Sequence, residues 1–167
     1  MAFRITSNLV GCQPIADTSA TQLHPLGTIV TAVDPTYGAG EFVYLKGVAS
    51  TVVGSVVSWN ATTYQTVLGV AAEKIPRPLA VAMSANVANQ YGWYQVSGVA
   101  VAAKLATVCV VAGAAFAVAS TGSGVVIASA SGNEVQGGII AATASAATGR
   151  TSVQVSIQRP TMQGRIT

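Results

Sequence analysis

Apolar and polar residues alternate most cleanly near the C-terminus, where Val153, Val155 and Ile157 interleave with Gln154, Ser156 and Gln158. A period of two places each set on one side of a pleated strand, so Thr151 to Arg159 is predicted to close the domain, with Pro160 ending it. A longer example runs from Leu79 to Val101. Leu79, Val81 and Met83 alternate with alanines, Ser84 to Gln90 is small and amide-bearing, and β-prone sequence resumes at Tyr91, which predicts a hairpin. Within its second strand Tyr94, Val96, Gly98 and Ala100 share one face, and Trp93, Gln95, Ser97 and Val99 the other. Trp93 therefore sits on the less apolar face. That predicts a ring packing on something beyond its own sheet, either a partner or another part of its own domain.

Upstream, Thr28 to Val33 and Glu41 to Lys46 flank a turn begun by Asp34-Pro35 and continued through Gly38 and Gly40. Ser55 to Trp59 and Tyr64 to Leu68 likewise flank Asn60 to Thr63. Turns recurring at about ten residues predict an all-β fold, a compact β-barrel or β-sandwich. Residues 1–26 are weakly patterned and contain Pro14 and Pro25, which predicts an extended N-terminal arm ordered by a neighbour or, alternatively, a first strand and loop of the same domain. Residues 27–160 then form the single β-rich domain and residues 161–167 a C-terminal tail. Glu73 to Pro78, with three charges and two prolines, is expected to be a solvated loop. Val99 to Ala119 approaches the length of a membrane span, but Lys104 interrupts it, and two buried strands around a turn at Gly113 are the preferred reading.

Composition sharpens this picture. Of 167 residues, 51% are hydrophobic and only 8% are charged, against roughly 25% in ordinary domains. A surface so short of charge suits a protein whose faces are covered by partners. The net charge of +3 arises from few acids, and the eight basic residues are scattered, so no stripe for nucleic acid is predicted. Cys12 and Cys109 lie far apart without zinc or redox spacing and are expected to be buried or unreactive. His24 has no evident carboxylate partner, and the five acids show no paired spacing. No catalytic residue, cofactor site or metal site is therefore assigned, and the reading is non-enzymatic. The N-terminus lacks the apolar core and cleavage site of a signal peptide, which predicts synthesis in the cytoplasm.

Two pieces carry a resemblance. The segment from Leu26 to Thr51, with Asp34-Pro35, Tyr37, Gly38, Gly40, Glu41, Phe42, Tyr44, Lys46 and Gly47, and the run Asn89, Gln90, Tyr91, Gly92, Trp93 and Tyr94 resemble the head decoration, or cement, proteins of tailed bacteriophages. The resemblance covers about half of the chain and implies a structural protein on the outer surface of the virion, synthesised in a bacterial host. Such a protein bridges subunits of the major capsid protein, forms homotrimers and touches neither nucleic acid nor membrane. The residues expected at the partner contact are Phe3, Arg4 and Ile5 in the arm, with Trp59, Trp93 and Tyr94 as aromatic anchors. The alternatives are another β-rich virion subunit of shell, fibre or tail, and a carbohydrate-binding module that uses Trp93 and Tyr94 as a stacking platform.

Overall fold

A single strand of fourteen residues, Tyr91–Lys104, organises the computed structural model, which describes residues 3–7, 11–69, 75–120, 123–129, 134–146 and 151–163. In chain order the strands are β1 (Arg4–Ile5), β2 (Thr18–Ser19), β3 (Ile29–Asp34), β4 (Gly38–Lys46), β5 (Val56–Trp59) and β6 (Thr66–Leu68). They continue as β7 (Leu79–Ala82), β8 (Tyr91–Lys104), β9 (Phe116–Val118), β10 (Val126–Ala128), β11 (Val135–Ile140) and β12 (Thr151–Met162). The main path of pairing is β1-β3-β4-β8-β7-β5-β6, and β8 also pairs with β2, β10 and β12. The fold is all-β. Its path begins at β1 and ends at β6 without returning, so the closed-barrel alternative is corrected to an open, branched sheet.

The three hairpins read from the sequence are present. β3 pairs with β4 from Ile29↔Val43 to Asp34↔Gly38, β5 with β6 around Val57↔Leu68, and β7 with β8 at Val81↔Gln95 and Ala82↔Tyr94. The first turn is made by Asp34, whose carboxylate accepts the backbone N–H of Thr36 at 2.7 Å and of Tyr37 at 3.0 Å. Asn60 does the same for Thr62 and Thr63 in the second.

Because paired residues share a face, the register builds a continuous apolar row from Ile29 through Val43 and Tyr94 to Ala82. This row belongs to a core with Leu45, Val57, Ala80 and Val96. The opposite face carries Phe42, Tyr44 and Trp93, which pack with Ile15, Val30 and Met83. The largest apolar cluster lies where the second half of β8 meets β9 to β12, with Ala100, Ala102, Phe116, Val126, Ile140, Val153, Val155 and Ile157.

Several expectations change. Of the two readings of the N-terminal segment, the arm ordered by a neighbour gives way to a first strand and loop of the same domain: Arg4 and Ile5 pair with Val33 and Ala32, and Gln13, Ile15 and His24 are buried. Val99 to Ala119 does not fold back on itself around Gly113. β8 ends at Lys104, and β9 pairs with β10 instead. Lys104 is fully buried, and its ammonium donates to the carbonyls of Leu105, Ala106 and Val108. Those bonds satisfy the charge without a carboxylate and tie down the turn that follows the strand. Among the described residues no helix is long and apolar enough to cross a membrane.

Pro160 does not end the last strand. The β11–β12 ladder steps from Gly138↔Ile157 to Gln136↔Thr161, so Gln158, Arg159 and Pro160 bulge opposite Gly137 and the missing proline N–H breaks no ladder bond. Thr161 and Met162 thereby belong to the strand and not to a tail; residues 164–167 lie outside the described residues. Of the expected loop at residues 73–78, residues 73 and 74 also lie outside them, while Ile75 is exposed.

Gly98 permits the crowded centre of the sheet. The ladder between β4 and β8 slips at this point, pairing Glu41 with Ser97 but Phe42 with Gln95. Gly98 takes φ +95°, and a Cβ there would lie 2.4 Å from the carbonyl oxygen of Ala39. Gly98→Ala combines backbone strain with an overlap against main chain. It is expected to lower unfolding stability by about 2–3 kcal/mol, read as the midpoint shift in urea denaturation.

Candidate functional site: an apolar groove at Trp59

Trp59 is the last residue of β5, just before the Asn60 turn, and its backbone N–H donates to the carbonyl of Pro78 at 3.3 Å. The turn lets the strand stop at the sheet margin, so the half-buried indole lines an open groove there. The other walls are Ile29 of β3, Val43 of β4, Val96 of β8, Pro78, and Arg159, Pro160 and Thr161 of β12. The groove has a volume of about 270 Å³. Ile29 stands at its rim with 49% of its surface exposed, at the open end of the Ile29–Val43–Tyr94 row. The groove is thus the place where this core reaches solvent.

The bulge described above supplies the opposite wall. Arg159, at φ +44°, directs its guanidinium to Glu41, with Nη2 to Oε2 at 3.2 Å and Nε to Oε2 at 3.3 Å. Both groups are partly in water, so the pair contributes about 0–1 kcal/mol to stability and chiefly orients the rim. Beside it, Ser97 Oγ and Gln158 Oε1 are 2.9 Å apart. The groove therefore has an apolar floor of aromatic, β-branched and proline side chains and one polar edge. It offers contact area and shape, and Thr161 brings the one side-chain hydroxyl to its walls. Among the described residues no three of His, Cys, Asp and Glu converge in a way that could hold a metal ion.

The sequence-predicted contact residues separate into distinct groups. Trp59 lines the groove. Arg4 is exposed on the edge strand β1, whereas Phe3 and Ile5 are half-buried against the Phe42–Tyr44–Trp93 core, the Phe3 ring meeting Phe42 edge-on at 4.9 Å. Trp93 and Tyr94 are both 0% exposed, which corrects their assignment as surface anchors and removes the stacking platform of a carbohydrate-binding module. The reason for Trp93 is the segment that covers it. Its indole Nε1 donates to the carbonyl of Gln13 at 2.9 Å, and its ring meets Tyr44 at 5.0 Å and His24 at 5.5 Å. Residues that sequence reasoning missed are Ile29, Val43, Val96 and Pro160. The alternation in β3 assigns Ile29 to an outward face, but only the pairing register joins it to Trp59.

The two cysteines differ from each other, Cys12 agreeing with a sheltered thiol and Cys109 not being buried. Cys12 is half-buried, and burial pushes its thiol pKa up; Cys109 is exposed, and its sulfur accepts the N–H of Ala146. A comparison with protein-family models found no match for this chain, and a comparison with the curated proteins found none either.

Tyr94 closes the inner end of the same apolar row, and burial pushes its phenol up to about 12. Thr66 and Asn86 temper that shift from nearby, yet neither meets the hydroxyl in hydrogen-bond geometry, and the Asn86 amide is itself buried without a partner. The folded state favours the neutral phenol, so its stabilisation is complete below pH of about 10, where an unfolded tyrosine begins to ionise. It is lost as pH rises toward 12. The wild-type protein is expected to lose about 2–3 kcal/mol across that window through Tyr94. Burial also pushes Tyr44 up, so the difference from Tyr94→Phe isolates the Tyr94 contribution. Urea titrations at pH 8 to 12 should show the variant as stable as wild type at pH 8 and less sensitive to alkali.

Proposed function

We propose that this chain is a structural, non-enzymatic virion protein that decorates the outer surface of an icosahedral phage head and bridges its major capsid protein subunits. The observation that carries the reading is the apolar groove at Trp59 on a body with so few charges. Ile29 belongs to a wider set of exposed apolar side chains that includes Val53, Val111 and Ile139. Large apolar groups left in water on a charge-poor surface are favourable only where another surface covers them. A decoration protein works under that condition, since each copy needs only modest affinity and many copies on one shell sum to a large mechanical effect. The resemblance at Leu26 to Thr51 and Asn89 to Tyr94 supports the same assignment.

In this proposal the body is a sheet-built sandwich, the groove receives an apolar element of the shell, and exposed Arg4 on β1 lies at a second contact. Copies associate as trimers, with no cofactor, nucleic acid or membrane involved. Synthesis takes place in the cytoplasm of the bacterial host. Another β-rich virion role is distinguished by location and copy number on the particle.

Particles from the phage encoding this chain are expected to carry it at a high, fixed ratio to the major shell protein. Heads lacking it should assemble but break at lower temperature or lower chelator concentration. Adding back purified Trp59→Ala/Ile29→Ser protein should give binding weaker by about tenfold or more, while thermal melting shows the variant still folded. Absence of the protein from particles would overturn the proposal. Wild-type binding by the folded double variant would remove the groove from it.

A further inference from the structure

Residues 11–24 carry few large apolar side chains, yet they cover the Tyr44–Trp93 face; buried Ile15 and the short β2–β8 pairing contribute, and a polar hub at Gln13 makes the bonds to the two rings. Gln13 uses all its groups. Its carbonyl accepts from the Trp93 indole, its side-chain oxygen accepts from the Tyr44 hydroxyl at 3.2 Å, and its amide nitrogen donates to the carbonyl of Asp17 at 2.7 Å. Its backbone N–H donates to Nε2 of His24 at 3.1 Å. In that last bond Nε2 is an acceptor, a role open only to an unprotonated ring nitrogen, so the geometry is that of the Nδ1–H tautomer. His24 is the sole histidine of the chain, and its ring is wedged against Tyr44 at 5.1 Å and Trp93 at 5.5 Å with 8% of its surface exposed.

We propose that His24 is a proton-operated latch, and that its protonation releases residues 11–24 from the Tyr44–Trp93 face. A proton from solvent binds the Nε2 lone pair. Nε2 becomes a donor pointed at another donor, the Gln13 N–H loses its acceptor, and a positive charge is buried. Among the described residues no carboxylate pairs with that charge. β4 presents the Tyr44 phenol, β8 presents Tyr91, stacked on Tyr44 at 6.4 Å, and the segment itself presents Cys12. Burial pushes the Tyr44 and Cys12 groups up, so both are neutral between about pH 5 and 8, the range in which imidazoles change charge. Asp17 is exposed and meets the hub through its main-chain carbonyl, and no described acid forms an ion pair with His24. When Gln13 moves, the Trp93 and Tyr44 bonds break together, because one residue makes both. The released face presents Trp93, Tyr44 and Met83. This inference stands on the geometry of the hub and does not require the proposed capsid role.

The test is hydrogen–deuterium exchange of the full chain at pH 7.5 and 5.5, corrected for the intrinsic pH dependence of exchange. Protection of peptides covering residues 11–24 is expected to fall by about tenfold or more at pH 5.5, together with the Tyr91–Gly92 edge that β2 covers, while the rest of β8 and β12 stay unchanged. His24→Gln, whose side-chain oxygen can accept the Gln13 N–H without titrating, should keep its protection at both values. Unchanged protection in wild type, equal loss in the variant, or loss spread over β12 and over β8 beyond Gly92 would each overturn the latch. If the variant fails to fold, wild-type NMR decides. The Trp93 indole N–H resonance must follow the titration of the His24 ring while that of Trp59 stays still, and a Trp93 signal indifferent to that titration would overturn the proposal.

Discussion

Backbone hydrogen bonding along β8 is the constraint on which the other elements depend. A buried strand must satisfy its N–H and C=O groups along its length, and fourteen residues need more partner than any one neighbour supplies. β8 solves this piecewise. Its first half is bound by β2, β4 and β7, and its second half by β12, with β10 joining at Lys104. Every core cluster but the smallest then forms on a face that this division creates. The aromatic side chains gather on the first half, and the alanines of the second half admit the valines and isoleucines of β11 and β12.

Close backbone approach is the second condition. Gly98 is one case and Gly92 another: a Cβ at Gly92 would sit 2.3 Å from the side-chain nitrogen of Asn86, which is buried beneath the β7–β8 turn. The resulting interior is tight, yet part of it is polar. Asn86, Gln95 and Tyr94 each place an unpartnered polar atom inside it. Such groups make the region costly to build and specific in its register. The charged exception, Lys104, is satisfied by main-chain carbonyls and ends β8.

The parts legible in the sequence were those in which one strand face is apolar and the other wet. β3 and β12 follow that rule, and the turns after β3 and β5 announce themselves through Asp34 and Asn60. Elsewhere the signal failed for identifiable physical reasons. Residues 11–24 read as a polar arm because their attachment uses the Gln13 and His24 side chains and not an apolar stripe. Trp93, sharing a face with Gln95 and Ser97, read as a ring covered from beyond its own sheet by a partner or by its own domain, and the cover is the same polar segment of its own chain. Pro160 read as a stop because a proline inside a ladder is ordinarily excluded, and the bulge opposite Gly137 was not visible without the pairing. Val99 to Ala119 is too uniform in Ala and Val to specify a partner, so β9 chose β10 for reasons of register. The groove at Trp59 was half legible: the indole stood out, but its walls come from five separated stretches.

The order of pairing along β8 carries a consequence for synthesis. The ladder at Ser97 to Lys104 is completed by residues 151–158, near the C-terminal end of the sequence. Until that stretch leaves the ribosome, the middle of the nascent chain holds an Ala- and Val-rich strand with an open edge. Folding is therefore dominated by contacts distant in sequence, the regime in which folding is slow and an open strand edge invites pairing with the wrong partner. The rate at which β12 docks on β8 thus bears on how long that edge stays open, separately from the stability of the finished sheet.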